Sequence, residues 1–300
     1  MNITEKGMLT NLTIRQWAAV REDKKVSEEV AKQHGATRKV GRYMKDLIGR
    51  DVAELARVRE AASALRQFHY TMTLPWSDEG SRLLPSATYF DYAGGIAERK
   101  NAFESAVAAF EKAYPDLKAA AEQKLNGLFD EADWPTPEVF RSKFSVRLRV
   151  FPLADASDFR VKLGSEEEEL VRKQITTSMM ASLSGAMADV FTRLKTCVGD
   201  LMERLARYEV DPQGKTVRTF RDSAVTNLRE LVALVPKLNI LNDPHLRELT
   251  EQIDQMLCQR EAQELRDNYI TRQKTVEDAA GLLKKLSDVE TALAARAEAA

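Results

Sequence analysis

Two clusters of basic side chains are the residues in this sequence best suited to binding chemistry. The first comprises Arg38, Lys39, Arg42 and Lys45, and the second comprises Arg147 and Arg149. Clustered Lys and Arg can neutralise phosphates, and Tyr43 beside the first cluster could stack on a base. Solvated helix and strand surfaces have the same composition, and the net charge of −1 argues against a dedicated nucleic-acid binder. Both interpretations stay open.

A second candidate is a concentration of aromatic side chains between residues 68 and 92. Binding residues lie disproportionately on loops, and Trp76, Tyr89 and Tyr92 could anchor a partner or a small ligand. Packing of this loop between two helices explains the same aromatics, and packing grounds favour that explanation.

No combination of residues in the sequence matches a known catalytic, metal or nucleotide motif. Gly214-Lys215-Thr216 resembles the end of a phosphate-binding loop, but position 209 is Glu where that motif needs Gly. The histidines His34, His69 and His245 lack the spacing of zinc ligands. We therefore expect a protein with no enzymatic activity, no metal and no cofactor.

Composition is typical of a mainly helical globular protein. Of the 300 residues, 44% are hydrophobic and 30% are charged, and no apolar run approaches the ~20 residues of a membrane-spanning helix. The two cysteines, Cys197 and Cys258, are too few for a disulfide framework. Because the N-terminus also lacks a signal-peptide pattern, we expect a cytoplasmic protein with no membrane partner.

Apolar residues that recur every three or four positions predict long helices over most of the chain. The predicted helices cover residues 52–72, 87–125, 165–208 and 217–235, and a short basic helix is expected at 38–48. Alternation of apolar and polar residues predicts a strand at 144–151. Segments 9–20 and 159–163 favour further strands, which would complete a small sheet.

The chain after Pro244 contains little helix-breaking chemistry and predicts one continuous, coiled-coil-like arm. Arg272 and Glu290 interrupt its heptad pattern. Such an arm would pack on the chain's own helices or on a second copy. The apolar positions of the arm include Val276, Leu283, Leu286 and Leu293.

The expected fold class is mainly α. We expect an elongated bundle of long helices with a small antiparallel β element and a C-terminal coiled-coil-like arm. Three consecutive parts follow from this pattern. They are a mixed helical part with the β element at 1–164, a long antiparallel helical hairpin at 165–242, and the helical arm at 243–300.

Several short runs form a recognisable set. They are Leu12-Thr13-Ile14-Arg15-Gln16-Trp17, Leu74-Pro75-Trp76, Leu84-Pro85 followed by Tyr89, Leu125-Asn126-Gly127-Leu128-Phe129, and Phe159-Arg160-Val161. Together they resemble a family of uncharacterised bacteriophage and prophage proteins, over about residues 9–245. Genes of that family often lie near those for a MoxR-type AAA+ ATPase and a von Willebrand factor A-type protein. The resemblance implies an adaptor, scaffold or substrate-presenting subunit of such an ATPase, and it lends no catalytic residues.

The first functional hypothesis is a phage-encoded, non-enzymatic assembly protein that forms a homo-oligomer in the host cytoplasm. The alternative is a nucleic-acid-binding accessory factor in replication or recombination, which would use the basic segments at 38–50 and 141–149. The third hypothesis is a small-ligand-binding anti-defence protein that acts through the aromatic loop.

Overall fold

The computed structural model describes residues 3–49, 51–77, 80–154, 164–210, 213 and 216–298. Long helices dominate these ranges, which confirms the mainly α class. The α-helices are α1 (Lys24–Gln33), α2 (Ala53–Met72), α3 (Tyr89–Leu125), α4 (Pro137–Phe140), α5 (Ser165–Ala206), α6 (Ser223–Leu238), α7 (Pro244–Ile253), α8 (Ala262–Asp267) and α9 (Tyr269–Glu298). The strands are β1 (Gly7–Arg15), β2 (Val20–Glu22), β3 (Met44–Asp46), β4 (Leu74–Pro75), β5 (Arg82–Pro85), β6 (Ser145–Pro152), β7 (Glu209–Val210) and β8 (Thr216–Arg218).

The main sheet has the strand order β4-β5-β1-β6. β5 is antiparallel to β1, where Gly7 lies opposite Pro85, and to β4, where Leu74 lies opposite Leu83. The predicted sheet that joins β1 and β6 is confirmed. β4 and β5 add a pair of antiparallel strands inside the 68–92 segment, which was expected to be a loop. The strand predicted at 159–163 lies outside the described residues.

The chain divides into two compact units, and neither is continuous in sequence. Unit 1 comprises residues 1–11, 72–90 and 150–300, and unit 2 comprises residues 12–71 and 91–149. This division differs from the three consecutive parts expected. The chain passes from one unit to the other within β1, α2, α3 and β6, so the helical and strand patterns continue across the boundaries and do not reveal them.

Unit 1 is built around α5, a helix of 42 residues. Val190, Leu194 and Leu201 on α5 are buried, as their helical spacing predicted. They share one hydrophobic core with Leu228 of α6 and Leu249 of α7. Burial of this apolar stripe, at about 25 cal/mol for each Å² removed from water, is the main stabilisation of α5, because helices in proteins are stabilised more by packing of one face than by propensity.

The predicted helix at 217–235 begins later than expected. Residues 216–218 form β8, in which Arg218 lies opposite Glu209 of β7. Pairing with β7 uses backbone groups that a helix would need, and Val217 is 58% exposed, so it is not a core position. The helix α6 begins only at Ser223.

In unit 1, α9 lies antiparallel to α5. Lys195 Nζ donates a hydrogen bond to Glu290 Oε2 at 2.8 Å, and the Arg272 guanidinium lies 5.0 Å from the centroid of the Tyr208 ring. A residue early in α5 is therefore close to one late in α9, and the end of α5 is close to the start of α9. The two residues that interrupt the heptad pattern are among those that hold the helices in register.

The C-terminal segment is divided into α7, α8 and α9, so the prediction of one continuous helix is wrong. A π-helical turn at Asp254–Cys258 follows α7. Arg229 donates to the carbonyl oxygens of Cys258 and Arg260 at 2.7 and 3.0 Å. Arg272 donates to two carbonyl oxygens at the end of α8 at 2.9 and 3.0 Å. These arginines satisfy backbone acceptors that a helix end would otherwise leave unpaired.

Unit 2 has its own core, in which aromatic side chains predominate. Trp17 contacts Phe110, Tyr114, Trp134 and Phe140 at ring-centroid distances of 5.8 to 6.2 Å. Most of these pairs are edge-to-face, the arrangement that ring quadrupoles favour. This aromatic core, rather than the 68–92 segment, is the larger aromatic cluster of the chain's described part.

Leu286 is a residue of α9 whose side chain is fully buried, and its truncation tests the pairing of α9 with α5. We expect Leu286→Ala to lower the free energy of unfolding by about 2–5 kcal/mol, because it leaves a cavity in the core of unit 1. The matched control is Ile270→Ala on the same helix, where the side chain is 78% exposed and a change within about 0.5 kcal/mol is expected. Equal losses in urea denaturation would contradict the packing described.

Candidate functional site

Lys45, predicted to contact nucleic acid, is buried in unit 2, so that prediction is wrong for this residue. Its side chain is 4% exposed, and Nζ lies 3.2 Å from Asp23 Oδ2 and 2.7 Å from Asp133 Oδ2. Nζ also donates to the carbonyl oxygen of Leu128 at 2.7 Å. An ammonium group in the interior needs such partners because an unpaired buried charge is costly. We call these four residues the lysine cluster.

The surroundings of Lys45 explain why residues 38–48 are not the predicted helix. Only Arg38–Val40 form a turn of 3-10 helix, and β3 follows, antiparallel to β2. Alternation along β3 turns Lys45 inward, whereas the neighbouring Met44 is 53% exposed. The density of cations suggested one solvated helix, but one of those cations is an interior residue.

Asp23, which caps α1, and Lys45 on β3 are both held in their ionised forms. The hydrogen bond from the Val26 N–H is the largest cause that lowers the pKa of Asp23. Burial opposes it, and the hydrogen bond and charge of Lys45 lower the pKa further. Burial alone would lower the pKa of Lys45, but hydrogen bonds and charges from Asp133 and Asp23 outweigh it and raise that pKa.

An apolar groove, which we call the α1 groove, lies between α1 and the returning chain at Val40–Tyr43. Its cavity volume is about 340 Å³, within the range typical of small binding sites. The residues that line it are Ser27, Val30, Ala31, His34, Ala36, Val40, Gly41, Arg42 and Tyr43.

Hydrogen bonds fix the two walls of the α1 groove. The Ser27 hydroxyl accepts from the Tyr43 N–H at 2.9 Å and donates to the Asp23 carbonyl oxygen at 2.6 Å. The Asp23 N–H donates to the Tyr43 carbonyl oxygen at 2.9 Å. After α1, Gly35 has φ +60°, a conformation that lets the chain reverse without a Cβ clash. The fold itself therefore holds the groove open.

Apolar side chains of the α1 groove face solvent. Val40 is 77% exposed, Val30 45% and Tyr43 41%. A single exposed valine is ordinary, but neighbouring exposed apolar groups that line one concavity are typical of a binding surface. The groove can accept apolar side chains from a partner.

Cations border the same groove. Arg42 lines it, and Lys39 lies on the exposed turn that forms one wall. Within the ranges that the structure describes, neither side chain has an ion pair, whereas Arg38 pairs with Glu22 at 3.1 Å. Of the first predicted basic cluster, Arg42 thus lines the groove and Lys39 lies on the turn beside it. Arg38 pairs with Glu22, and Lys45 holds the fold.

The second basic cluster lies on β6. Arg147 and Arg149 are exposed and alternate with half-buried Val146 and Leu148, which confirms the predicted strand. Neither arginine lines the α1 groove. Their assignment to nucleic-acid binding stays a prediction.

The three predicted aromatic anchors do not form one site. Tyr92, in unit 2, is 1% exposed, and its hydroxyl lies 2.8 Å from Nδ1 of His69, so it is a core residue. In unit 1, Tyr89 is 39% exposed and packs edge-to-face with Phe90 at 5.5 Å. Trp76 is half-buried against the unit 1 core and lines a cavity of about 350 Å³ beside α5.

The predicted oligomer positions on α9 are largely occupied by the chain itself. Leu286 is fully buried, and Val276 and Leu283 are half-buried against the core of unit 1. The helix α9 continues past Leu293, but the side chain of that residue lies outside the described part.

Other chemistry is sparse in the described ranges. They contain no group of three His, Cys, Asp or Glu side chains placed to hold a metal ion. Burial raises the pKa of the Cys258 thiol to about 12, which makes it a poor nucleophile. Every described helix is too short or too polar to cross a membrane. The residues Gly214 and Lys215 lie outside the described part.

Sequence reasoning did not identify Ser27, Val30 and Val40 as site residues. The available signal was Val26 and Val30 on a short helix, followed by a glycine at which the chain could reverse. Neither valine stood out, because isolated apolar residues on short helices are common. The cations beside Val40 were interpreted only as a basic cluster, so the apolar character of Val40 was not considered.

Comparison with protein-family models, with curated proteins and with solved structures finds no match for this chain.

Replacement of Lys45 tests the lysine cluster. We expect Lys45→Met to lower the free energy of unfolding by roughly 3 kcal/mol, since it leaves two largely buried carboxylates, 12% and 14% exposed, without their cation. The matched control is Lys32→Met on α1, because Lys32 is 76% exposed and forms only an i,i+4 pair with Glu28. The free energy of unfolding of Lys32→Met should differ from that of wild type by no more than about 0.5 kcal/mol. Equal effects in urea denaturation would exclude the buried role of Lys45.

The same pair of variants gives a pH test. Asp23 contributes stability above the ordinary carboxyl pKa of 3.8, and this is lost as pH falls through its lowered pKa. Lys45 contributes below its ordinary pKa of 10.5, and this is lost as pH rises through its raised pKa. The stability gap between wild type and Lys45→Met should therefore be widest near neutral pH and narrow towards about pH 3. A gap independent of pH would contradict the ionic account.

Proposed function

We propose that this chain is a non-enzymatic protein-interaction module that docks a partner protein in the α1 groove. The observation that supports this proposal is an open apolar concavity whose walls are fixed by hydrogen bonds. This apolar concavity lies on a protein in which 30% of the residues are charged. A preformed groove loses little conformational entropy on binding, because its backbone is already ordered.

The proposed partner is a AAA+ ATPase, for which the chain would act as adaptor or scaffold in the cytoplasm of a phage-infected host. This part of the proposal comes from the resemblance to phage proteins encoded near MoxR-type ATPases. Self-association is part of the same proposal. It does not rest on the packed face of α9, since Leu286 there is already buried by the chain's own core.

Substitution of Val40 tests docking in the α1 groove. Val40→Asp places a charge on the apolar wall, and because Val40 is 77% exposed, the fold should be unaffected. We expect the affinity for the MoxR-type AAA+ ATPase encoded nearest to this chain's gene to fall roughly tenfold or more, the equivalent of one lost buried valine. Binding is measured by titration calorimetry, with unchanged thermal unfolding as the folding check.

The matched control is Val217→Asp, which adds the same charge at a 58% exposed valine of unit 1. Its binding should equal that of wild type. Equal binding by wild type and Val40→Asp would exclude the groove as the docking site. Absence of ATPase binding by wild type would exclude the adaptor role.

A further inference from the structure

The segment that forms the α1 groove carries a charge opposite in sign to that of the whole chain. Between Lys24 and Tyr43 there are six Lys and Arg residues and two Glu, which gives +4, whereas the whole chain has −1. A local excess of this size attracts acidic groups, although the molecule as a whole does not.

The cations nearest the apolar wall are available to a ligand. Lys39 and Arg42 have no ion pair within the described residues and flank Val40 in sequence. Arg42 also lines the cavity itself. An acidic group at this border would gain a charge-assisted hydrogen bond without displacing an existing partner.

The lining of the cavity distinguishes an acidic peptide from a nucleic acid. Val30, Ala31 and Val40 offer no hydrogen-bond donor side chains, so this apolar part of the lining has no side-chain group that could hold a phosphate. It does suit aliphatic side chains, whose transfer from water is favourable. The ligand that fits both features carries apolar groups and carboxylates close together.

We propose that the α1 groove binds an acidic amphipathic segment of a partner protein, with apolar side chains between Val30 and Val40 and carboxylates at Lys39 and Arg42. This inference rests on the proposed function, because it names the chemistry of the partner segment that the groove docks. It requires neither a nucleotide nor a second copy of the chain.

Selection from a displayed library of random linear peptides tests this inference. The full-length wild type is the target, and binders of Val40→Asp are removed. We expect the enriched peptides to combine Asp or Glu with Leu, Ile, Phe or Val. Their affinity should fall about tenfold for Lys39→Glu/Arg42→Glu, as expected when two surface charge pairs become repulsive. The matched control, Arg147→Glu/Arg149→Glu, makes the same change of net charge away from the groove and should bind as wild type does.

Each other outcome overturns the inference in a distinguishable way. Enrichment of neutral or basic apolar peptides would reject the acidic partner but leave groove docking intact. Absence of any peptide that discriminates wild type from Val40→Asp would count against both proposals. Binding of single-stranded or duplex DNA that is lost in Lys39→Glu/Arg42→Glu but kept in Val40→Asp would assign these cations to nucleic acid instead.

Discussion

The ion pairs of the Lys45 ammonium group are the interaction on which residues 20–46 of unit 2 depend. The ammonium group joins β3 to Asp23, which caps α1, and to Asp133, which lies far away in the sequence. Three oxygen partners make burial of the charge tolerable. Tyr43 lies two residues before Lys45 and bonds to Ser27, so the ion pairs and the groove walls are parts of one connected structure.

Periodicity predicted the long elements well, because each buries a single face that repeats along the sequence. α2, α3 and α5, together with β6, were predicted in this way. The errors lie where side chains act outside that pattern. Lys45 looks like any surface lysine in a basic run, and only the folded chain brings Asp133 to it. Arg229 and Arg272 stabilise breaks around α8 through carbonyl oxygens, and no local sequence rule registers such distant donors.

The charged half of the candidate site could be predicted from the sequence, and the apolar half could not, because tertiary contacts bring the apolar residues together. Arg38, Lys39 and Arg42 stood out by charge density, and of these the structure places Arg42 in the lining of a concavity, with Lys39 on the adjoining turn. The apolar half of the site was hidden, since Val30 and Val40 belong to different short elements that a glycine turn brings together. Aromatic density was misleading at Tyr92, because the ring and its hydroxyl both belong to the core. The pattern of charges in a sequence can predict which segment forms a binding surface, but tertiary contacts determine the shape of that surface.

Amide hydrogen exchange over residues 24–46, followed by mass spectrometry in wild type and Lys45→Met, tests the central claim that buried ion pairs hold the groove. We expect strong protection of this segment in wild type and a clear loss in the variant, with α5 in unit 1 unchanged as an internal reference. Equal protection of residues 24–46 in the two proteins would contradict that claim, because the groove would then be ordered independently of Lys45.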